Sequence, residues 1–195
     1  MALPDQCHVD LETLDTRETS RILSIGAVFN DEKFYVEIDQ SLYPTDSPFT
    51  ESKSTKEWWA SQGGFHPTLE TLTSPYEATM KFHRWLSNQT QQLSDWEIWA
   101  NSPSFDCAML RYHMQFFNTR PCWNFWQERD VRTAKAIAKA MKLPIRSPQN
   151  PHHALQDAAN QRVYVEQVYN ILAQSVQTAR EANYHGHGVS DNGTF

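Results

Sequence analysis

The stretch RILSIGAVFNDEKFYVEID, residues 21–39, decides how the chain begins to fold. Its first half places apolar side chains on both sides of an extended strand, and its second half alternates Phe34 and Val36 with polar neighbours. Asn30 and Asp31, between the two halves, are typical of a tight turn. The stretch therefore predicts an antiparallel β-hairpin.

A third strand is expected just before this hairpin, over residues 6–12, and it carries most of the stretch HVDLET at residues 8–13. Asp10 and Glu12 are two residues apart, so on a strand both carboxylates point to the same side, roughly 7 Å apart along the backbone. Two like charges held that close need a cation. The alternative is a solvated strand edge, because an Asp-x-Glu pair by itself is a weak motif.

The length and composition of the chain suit one globular domain. Its 195 residues include 39% hydrophobic ones, enough to bury a single sizeable core. We expect this domain to span residues 1–182 and the polar, glycine-bearing residues 183–195 to form a flexible tail. The chain has no run of about 18 apolar residues, and its N-terminus lacks the pattern of a signal peptide. These features predict a soluble, cytoplasmic protein with no membrane partner.

Cysteine spacing and charge narrow the classes of function. Cys7, Cys107 and Cys122 are scattered, which argues against a disulfide framework or a thiolate zinc site. The formal net charge of −6 repels polyanions on average. Any binding to nucleic acid would therefore depend on a local basic patch or on bound metal.

The region after the hairpin predicts two helices. The first lies in STKEWWASQGG, residues 54–64, and its two tryptophans, Trp58 and Trp59, are expected in the core rather than on a base-stacking platform. The second lies in SPYEATMKFHRWLSN, residues 74–88, with Ser74 as its N-cap. Ala78, Phe82 and Trp85 lie on one face of this second helix.

A further acidic residue follows the next predicted strand, residues 97–101. The Ser-Pro-Ser sequence after this strand indicates the start of a helix near Phe105, and Asp106 falls in the first turn of that helix. Taken alone, Asp106 would only complement the helix dipole, a contribution of about 0.3–1 kcal/mol.

Residues 128–146 predict a helix with one basic face. The basic side chains recur at spacings of three and four: Arg132, Lys135, Lys139, Lys142 and Arg146. Such a face is commonly a solvated helix surface, and it is also the local patch that a nucleic-acid-binding protein of negative net charge would need.

The last predicted helix follows Pro151. His152 and Asp157 are five residues apart, which on one continuous helix would place them about 140° apart around the axis. If His152 instead lies in the loop before the helix, with Pro151 discouraging helix at Asn150, it can reach the site that Asp157 enters from the first turns. The position of the proline therefore allows both side chains to reach one site.

Three short motifs, in this order, resemble those of the DEDDh family of 3′-to-5′ exonucleases. They are DLE at residues 10–12, FD at residues 105–106 and HHALQD at residues 152–157. The SIGAV strand and the W-W helix are similar to those of the branch that contains phage exodeoxyribonuclease A-like and mycobacterial-type exoribonucleases. The resemblance implies an α/β, ribonuclease H-like fold: a mixed five-stranded sheet that starts with an antiparallel three-strand meander and has helices on both faces.

The resemblance also implies two divalent cations, Mg²⁺ or Mn²⁺, held by four carboxylates. In the family pattern Asp10 bridges both cations, Glu12 and Asp157 complete the site that serves the attacking water, and Asp106 orients the second cation. These four acids and a histidine form the predicted catalytic set.

His152 matches the position of the general base in the family. An imidazole suits that role because its ordinary pKa of about 6.5 lets it accept a proton near neutral pH. His153 is the neighbouring alternative, at a position that varies in the family. The predicted reaction is hydrolysis from the 3′ end of single-stranded nucleic acid with release of nucleoside 5′-monophosphates, and DNA is slightly preferred over RNA.

Four further residues match positions near the substrate in the family: Thr13, Leu14, Asn101 and Phe105. One departure concerns the pocket, since family members usually have a glycine soon after Asp-x-Glu-Thr, whereas this chain adds Asp15 and Glu18. Two other hypotheses are a catalytically silent nucleic-acid-binding relative and an interaction or metal-binding protein whose acids are unrelated to one another. A meeting of the four carboxylates at one sheet edge would separate the second from an exonuclease.

Overall fold

A computed structural model describes residues 4–145 and 152–186 and shows a five-stranded mixed sheet with strand order β3-β2-β1-β4-β5. The elements, in chain order, are β1 Asp5–Thr13, β2 Ile22–Phe29, β3 Glu32–Glu37, α1 Lys53–Ser61, α2 Pro75–Thr90, β4 Trp96–Ala100, α3 Asp106–Phe116, β5 Glu128–Asp130, α4 Val131–Ala140 and α5 Ala154–Gly186. Two short 3-10 turns, Gln40–Leu42 and Phe125–Gln127, interrupt the connections.

The first three strands form the predicted antiparallel meander. Asn30 adopts a left-handed conformation, with φ of 50°, at the hairpin between β2 and β3. β1 then pairs with β4 in parallel, and β4 pairs with β5 in parallel. The predicted fold class is confirmed.

Helices cover both faces of the sheet. One face packs against α2 and α3, whose buried side chains include Phe82 and Met109. The other packs against α4 and α5, with Val131 and Val165 buried between them and the sheet. Because side chains alternate along a strand, Asp10 and Glu12 of β1 lie on the face that α5 covers.

A glycine lets α5 come close to the sheet. Gly26 of β2 pairs with Asp10 of β1, and a Cβ atom at Gly26 would lie 2.1 Å from backbone atoms of Ala154 and Leu155. Only a residue without a side chain allows this approach. The first turn of α5 is therefore held directly beside Asp10.

The structure differs from the expected helix over residues 128–146. Glu128–Asp130 is a strand, because Ile98 and Ala100 of β4 pair with Glu128 and Asp130. The helix α4 starts only after Asp130, whose side chain accepts a hydrogen bond from the backbone N–H of Arg132. Arg146 lies outside the described residues.

The two tryptophans of α1 have different surroundings, so the prediction that both are in the core is wrong for Trp58. Trp59 is buried and its Nε1 donates to the backbone carbonyl of Thr13 at 2.9 Å. Trp58 is 40% exposed. Neighbouring residues on a helix point about 100° apart, and the face of α1 that contacts the end of β1 contains Trp59 but not Trp58.

The C-terminal boundary of the domain stays a prediction. The helix α5 ends at Gly186, so residues 183–186 are helical, and the rest of the expected tail lies outside the described residues. Among the described helices, none combines the length and the apolar character that a membrane crossing requires. The predicted cytoplasmic location also stays a prediction.

Candidate active site

Three predicted acids meet beneath the start of α5. Asp10 and Glu12 project from β1, and Asp157 projects from the first turn of α5. One carboxylate oxygen of each residue lies within 4.8 Å of the other two. The close approach of α5 at Gly26 brings Asp157 to the two acids of the strand.

Asp106 approaches these three acids from the element that follows β4. It is the first residue of α3, which follows the end of β4, the parallel neighbour of β1. Its Oδ1 accepts a hydrogen bond from the backbone N–H of Leu11 at 3.2 Å, between the two acids of the strand. The four carboxylates therefore lie together at the edge of the sheet that is formed by the carboxyl ends of β1 and β4.

The negative charges at this edge disfavour one another. Burial, together with Asp157 and Asp106, raises the pKa of Glu12 to about 8. Burial and the neighbouring carboxylates raise the pKa of Asp10 well above its ordinary value. Burial also raises the pKa of Asp106 to about 7 and that of Asp157 above its ordinary value. Arg132 lowers the pKa of Asp106 but does not outweigh the effect of burial.

The donor set fits divalent cations such as Mg²⁺ or Mn²⁺. Carboxylate oxygens are the hard ligands that these ions prefer. The Oε1 atom of Glu12 is buried and has no hydrogen-bond partner among the described residues. A buried, unpaired carboxylate oxygen costs free energy, and a coordinated cation would remove that cost.

Gln161 is a site residue that the sequence reasoning missed. Its Nε2 donates a hydrogen bond to Oδ1 of Asp10 at 2.7 Å, and its side chain is buried. Gln161 is four residues after Asp157, so the two share one face of α5. This spacing was visible in the sequence, but its importance depends on Asp10 being opposite, which only the fold shows.

His152 lies in the loop before α5, in the position that the proline indicated. Its backbone φ is 49°, and its ring packs against Trp58 with 4.5 Å between ring centroids. It lines the same pocket as Asp10, Glu12 and Asp157. The imidazole and the carboxylates thus share one cavity.

His153, the neighbouring alternative, has a different environment. Its ring stacks on Tyr35 of β3, with 4.5 Å between centroids and 23° between planes. Its Nδ1 is buried without a hydrogen-bond partner among the described residues, and His153 does not line the pocket of the carboxylates. The geometry thus separates the two histidines.

Two pockets flank the carboxylates and share Leu11 and Glu12. We call the first the carboxylate pocket; its lining includes Asp10, Glu12, Asn101, Lys135, His152 and Asp157. We call the second the aromatic pocket; its lining includes Thr13, Thr16, Ser54, Thr55, Trp58 and Phe105.

The four predicted substrate residues are divided by this arrangement. Thr13 and Phe105 line the aromatic pocket and Asn101 lines the carboxylate pocket, whereas Leu14 is half-buried and lines neither. The carboxylate of Asp15 is turned into its own loop, where it accepts hydrogen bonds from Thr16 and Arg17. Neither of the two added acids, Asp15 and Glu18, lines either pocket.

A family model matches most of the chain. The model of the family described as the 3'-5' exoribonuclease Rv2179c-like domain matches residues 5–169. The chain belongs to this family. It is therefore a hydrolase of the nuclease class, and the predicted resemblance to DEDDh exonucleases of the mycobacterial-type branch is confirmed.

Solved structures of two nucleases share the fold. Cell-death related nuclease 4 (CRN-4) matches with a TM-score of 0.61 and 14% identity, over 86% of this chain and 64% of that chain. The nuclease domain of 3'hExo, a DEDDh family member solved with rAMP, matches with a TM-score of 0.55 and 11% identity, over 85% of this chain and 92% of that chain. No curated protein sequence matches the chain at a significant level. At these identities the similarity shows the ribonuclease H-like fold, which this family and both nucleases have in common.

Proposed function

We propose that the protein removes nucleotides from the 3′ end of single-stranded nucleic acid and releases nucleoside 5′-monophosphates. The observation that carries this proposal is the meeting of four carboxylates and His152 at one edge of the sheet. Carboxylates drawn from β1, α3 and α5 repel one another at this distance, and bound cations would offset that repulsion. The hypothesis of an interaction protein with unrelated acids predicts no such meeting.

The acids would hold two divalent cations. The charges of Glu12, Asp157 and Asp106 all act on Asp10, which supports the proposal that Asp10 would help to hold both ions. When bound, the cations activate the attacking water and stabilise charge on the leaving 3′ oxygen. Gln161 holds Asp10 through the hydrogen bond to Oδ1, so it orients the shared ligand.

His152 would accept the proton of the attacking water. It lies in the carboxylate pocket, and the Trp58 ring restricts the positions that its imidazole can take. An imidazole nitrogen can accept a proton and return it, which suits a general base. His153, stacked on Tyr35, is the weaker candidate.

The terminal nucleoside fits the aromatic pocket. Phe105 and Trp58 offer apolar ring surface for a base, and Thr13 lies at the border with Glu12. Asn101 would contact the substrate from the carboxylate pocket. Leu14 stays a prediction from the resemblance.

The choice between DNA and RNA is a separate question. A slight preference for DNA stays a prediction, whereas the description of the family as exoribonucleases favours RNA. Trimming of matched single-stranded DNA and RNA, labelled at the 5′ end, measures this preference directly. A contact to the ribose 2′-OH would appear as a faster rate on RNA.

The proposed function is tested with Asp10→Asn and a matched control, Asp46→Asn, which changes an exposed acid outside the site. EDTA should abolish trimming by the wild type, and Mg²⁺ or Mn²⁺ should restore it, whereas Asp10→Asn should lose several orders of magnitude in rate. Mg²⁺ should also raise the melting temperature of the wild type and of Asp46→Asn. The increase should be much smaller for Asp10→Asn. Robust trimming by Asp10→Asn would refute the site.

Two substrates test the direction of the reaction. A 3′-phosphate should stall the enzyme, because the aromatic pocket would have to accept an additional charge next to Glu12. A circular single strand should resist cleavage, and equal rates on circular and linear strands would indicate an endonuclease. Tight binding of a single strand, without hydrolysis under any metal condition, would favour a catalytically silent relative instead.

A further inference from the structure

The basic residues of α4 extend beyond the catalytic acids, although the charge of Arg132 acts on Asp106 and Lys135 lines the carboxylate pocket. Arg132, Lys135 and Lys139 are all exposed, and we call them the α4 basic surface. They follow one another at spacings of three and four, so they share one face of the helix, with Lys139 about 10 Å along the axis from Arg132. No aspartate or glutamate occurs within residues 131–142. The surface is therefore a run of positive charge without interspersed acids.

The charges of the α4 basic surface are unpaired, in contrast to most arginines of the described chain. Five arginines form ion pairs with carboxylates: Arg17, Arg21, Arg111, Arg129 and Arg162. Within the described residues, no carboxylate lies within ion-pair distance of Arg132, Lys135 or Lys139. In a chain with a net charge of −6, three adjacent unpaired cations are available to an anionic ligand.

The α4 basic surface is continuous with the carboxylate pocket. Lys135 lines that pocket, and its Nζ lies 3.4 Å from Oδ1 of Asn101 and 6.0 Å from the centre of the Tyr164 ring. Because β5 runs parallel to β4 and β1, α4 begins at the same end of the sheet as the carboxylates and then leads away from it. Lys139 lies about one helical turn farther than Lys135 from the pocket.

The two pockets differ in charge. No lysine or arginine lines the aromatic pocket among the described residues, whereas Lys135 lines the carboxylate pocket. A nucleoside at the 3′ terminus carries no phosphate beyond the one that is attacked. The rest of the strand carries one phosphate for every nucleotide. Of the two pocket linings, only that of the carboxylate pocket carries a cation, as a pocket that faces the phosphates of the strand would require.

We propose that the α4 basic surface binds the phosphodiester backbone of the strand on the 5′ side of the scissile bond. This inference rests on the proposed exonuclease function and specifies where the rest of the substrate strand would lie on the protein. Lysine and arginine contacts to phosphate position a strand without reading its bases, so the surface serves DNA and RNA alike. It explains how an acidic protein holds a polyanion.

The experiment compares a triple variant, Arg132→Ala with Lys135→Ala and Lys139→Ala, against a control pair, Lys81→Ala with Arg84→Ala. Alanine keeps the helices, and the control residues are exposed on α2, across the sheet from α4. The readout is kcat/KM on a single-stranded 12-mer and on a dinucleotide, over a range of salt concentrations. For each cation removed, the slope of log kcat/KM against log salt on the 12-mer should become shallower by about 0.7, or by about 2 for the triple variant.

Length and charge of the substrate give two further readouts. The ratio of kcat/KM on the 12-mer to that on the dinucleotide should fall at least about tenfold in the triple variant and stay at the wild-type value in the control pair. Neutral methylphosphonate linkages, placed at the second to fourth positions from the 3′ end, should slow the wild type but have little further effect on the triple variant.

The possible outcomes separate this inference from the proposed function. If the wild type trims single strands in a metal-dependent way but the triple variant keeps the wild-type salt slope and length ratio, the α4 basic surface is not the strand path and the exonuclease proposal stands. If the wild type hydrolyses neither DNA nor RNA, the proposed function fails and the inference fails with it. An equal loss in the triple variant and the control pair would show a general effect of net charge and would also refute the inference.

Discussion

Two buried glutamates on the same face of the sheet should respond in opposite ways to neutralisation. Glu12 of β1 pairs with Ser24 of β2, and Ser24 pairs with Glu37 of β3, so the two acids lie in one row across three strands. The Oε1 atom of Glu12 has no hydrogen-bond partner among the described residues. The carboxylate of Glu37 accepts hydrogen bonds from the Tyr35 hydroxyl and from Thr68 and Leu69.

The pKa values of the two carboxyls move in opposite directions. Burial and the neighbouring acids raise the pKa of Glu12 from 4.5 to about 8. Burial alone would also raise the pKa of Glu37, but the hydrogen bonds from Leu69, Thr68 and Tyr35 outweigh it and lower that pKa. A raised carboxyl pKa means that the folded protein binds more protons than the unfolded chain, so stability falls as pH rises from about 4.5 to about 8. A lowered pKa has the opposite consequence, and stability is lost as pH falls.

The magnitude follows from the pKa of Glu12. At pH 7 the unfolded carboxyl is ionised and the folded one is mostly protonated, so the shift costs the metal-free protein about 3 kcal/mol, and less than about 1 kcal/mol at pH 5. Glu12→Gln removes this cost. In EDTA at pH 7 we expect the variant to be about 3 kcal/mol more stable than the wild type, which corresponds to about 6–12 °C in melting temperature.

Urea and thermal unfolding at pH 5 and pH 7, with EDTA or with Mg²⁺, measure these differences. Glu37→Gln is the matched control and should destabilise the protein at pH 7, because an amide cannot accept all the hydrogen bonds of the carboxylate. Mg²⁺ should stabilise the wild type and Glu37→Gln much more than Glu12→Gln. If Glu12→Gln destabilised the metal-free protein at pH 7 as much as Glu37→Gln does, the reasoning about an uncompensated acidic cluster would be wrong.

Three further variants test the catalytic geometry and the fold. His152→Ala should lose about 10²- to 10⁴-fold in kcat while Mg²⁺ still raises its melting temperature, and His153→Ala should lose far less; the reverse order in a steady-state assay would overturn the choice of base. Gln161→Leu removes the hydrogen bond to Asp10 and should weaken Mg²⁺ affinity or activity by about 10- to 100-fold in a metal titration. A titration curve identical to that of the wild type would show that Gln161 does not position Asp10. Gly26→Ala should lower the free energy of unfolding by at least about 1–3 kcal/mol in a urea titration, because its Cβ would overlap the backbone of α5; wild-type stability would contradict the close approach.

Local patterns in the sequence were enough to predict much of this protein. The hairpin depends on alternation and on a turn at Asn30, and these act over a few neighbouring residues. The same is true of Ser74, which caps α2 as predicted, and of Asp106 in the first turn of α3. The order of the three acidic motifs then indicated the family and, through it, the five-stranded sheet.

Other features were decided only when distant segments came together. Residues 128–130 have no strand pattern of their own and become β5 because β4 offers a free parallel edge. Trp58 is exposed and Trp59 buried because α1 packs at the end of β1 through one face. Gln161 gains its role from Asp10, 151 residues earlier in the chain. Hydrogen bonds, burial and charge interactions of this kind depend on distances in space, and a sequence pattern encodes only the distances along the chain.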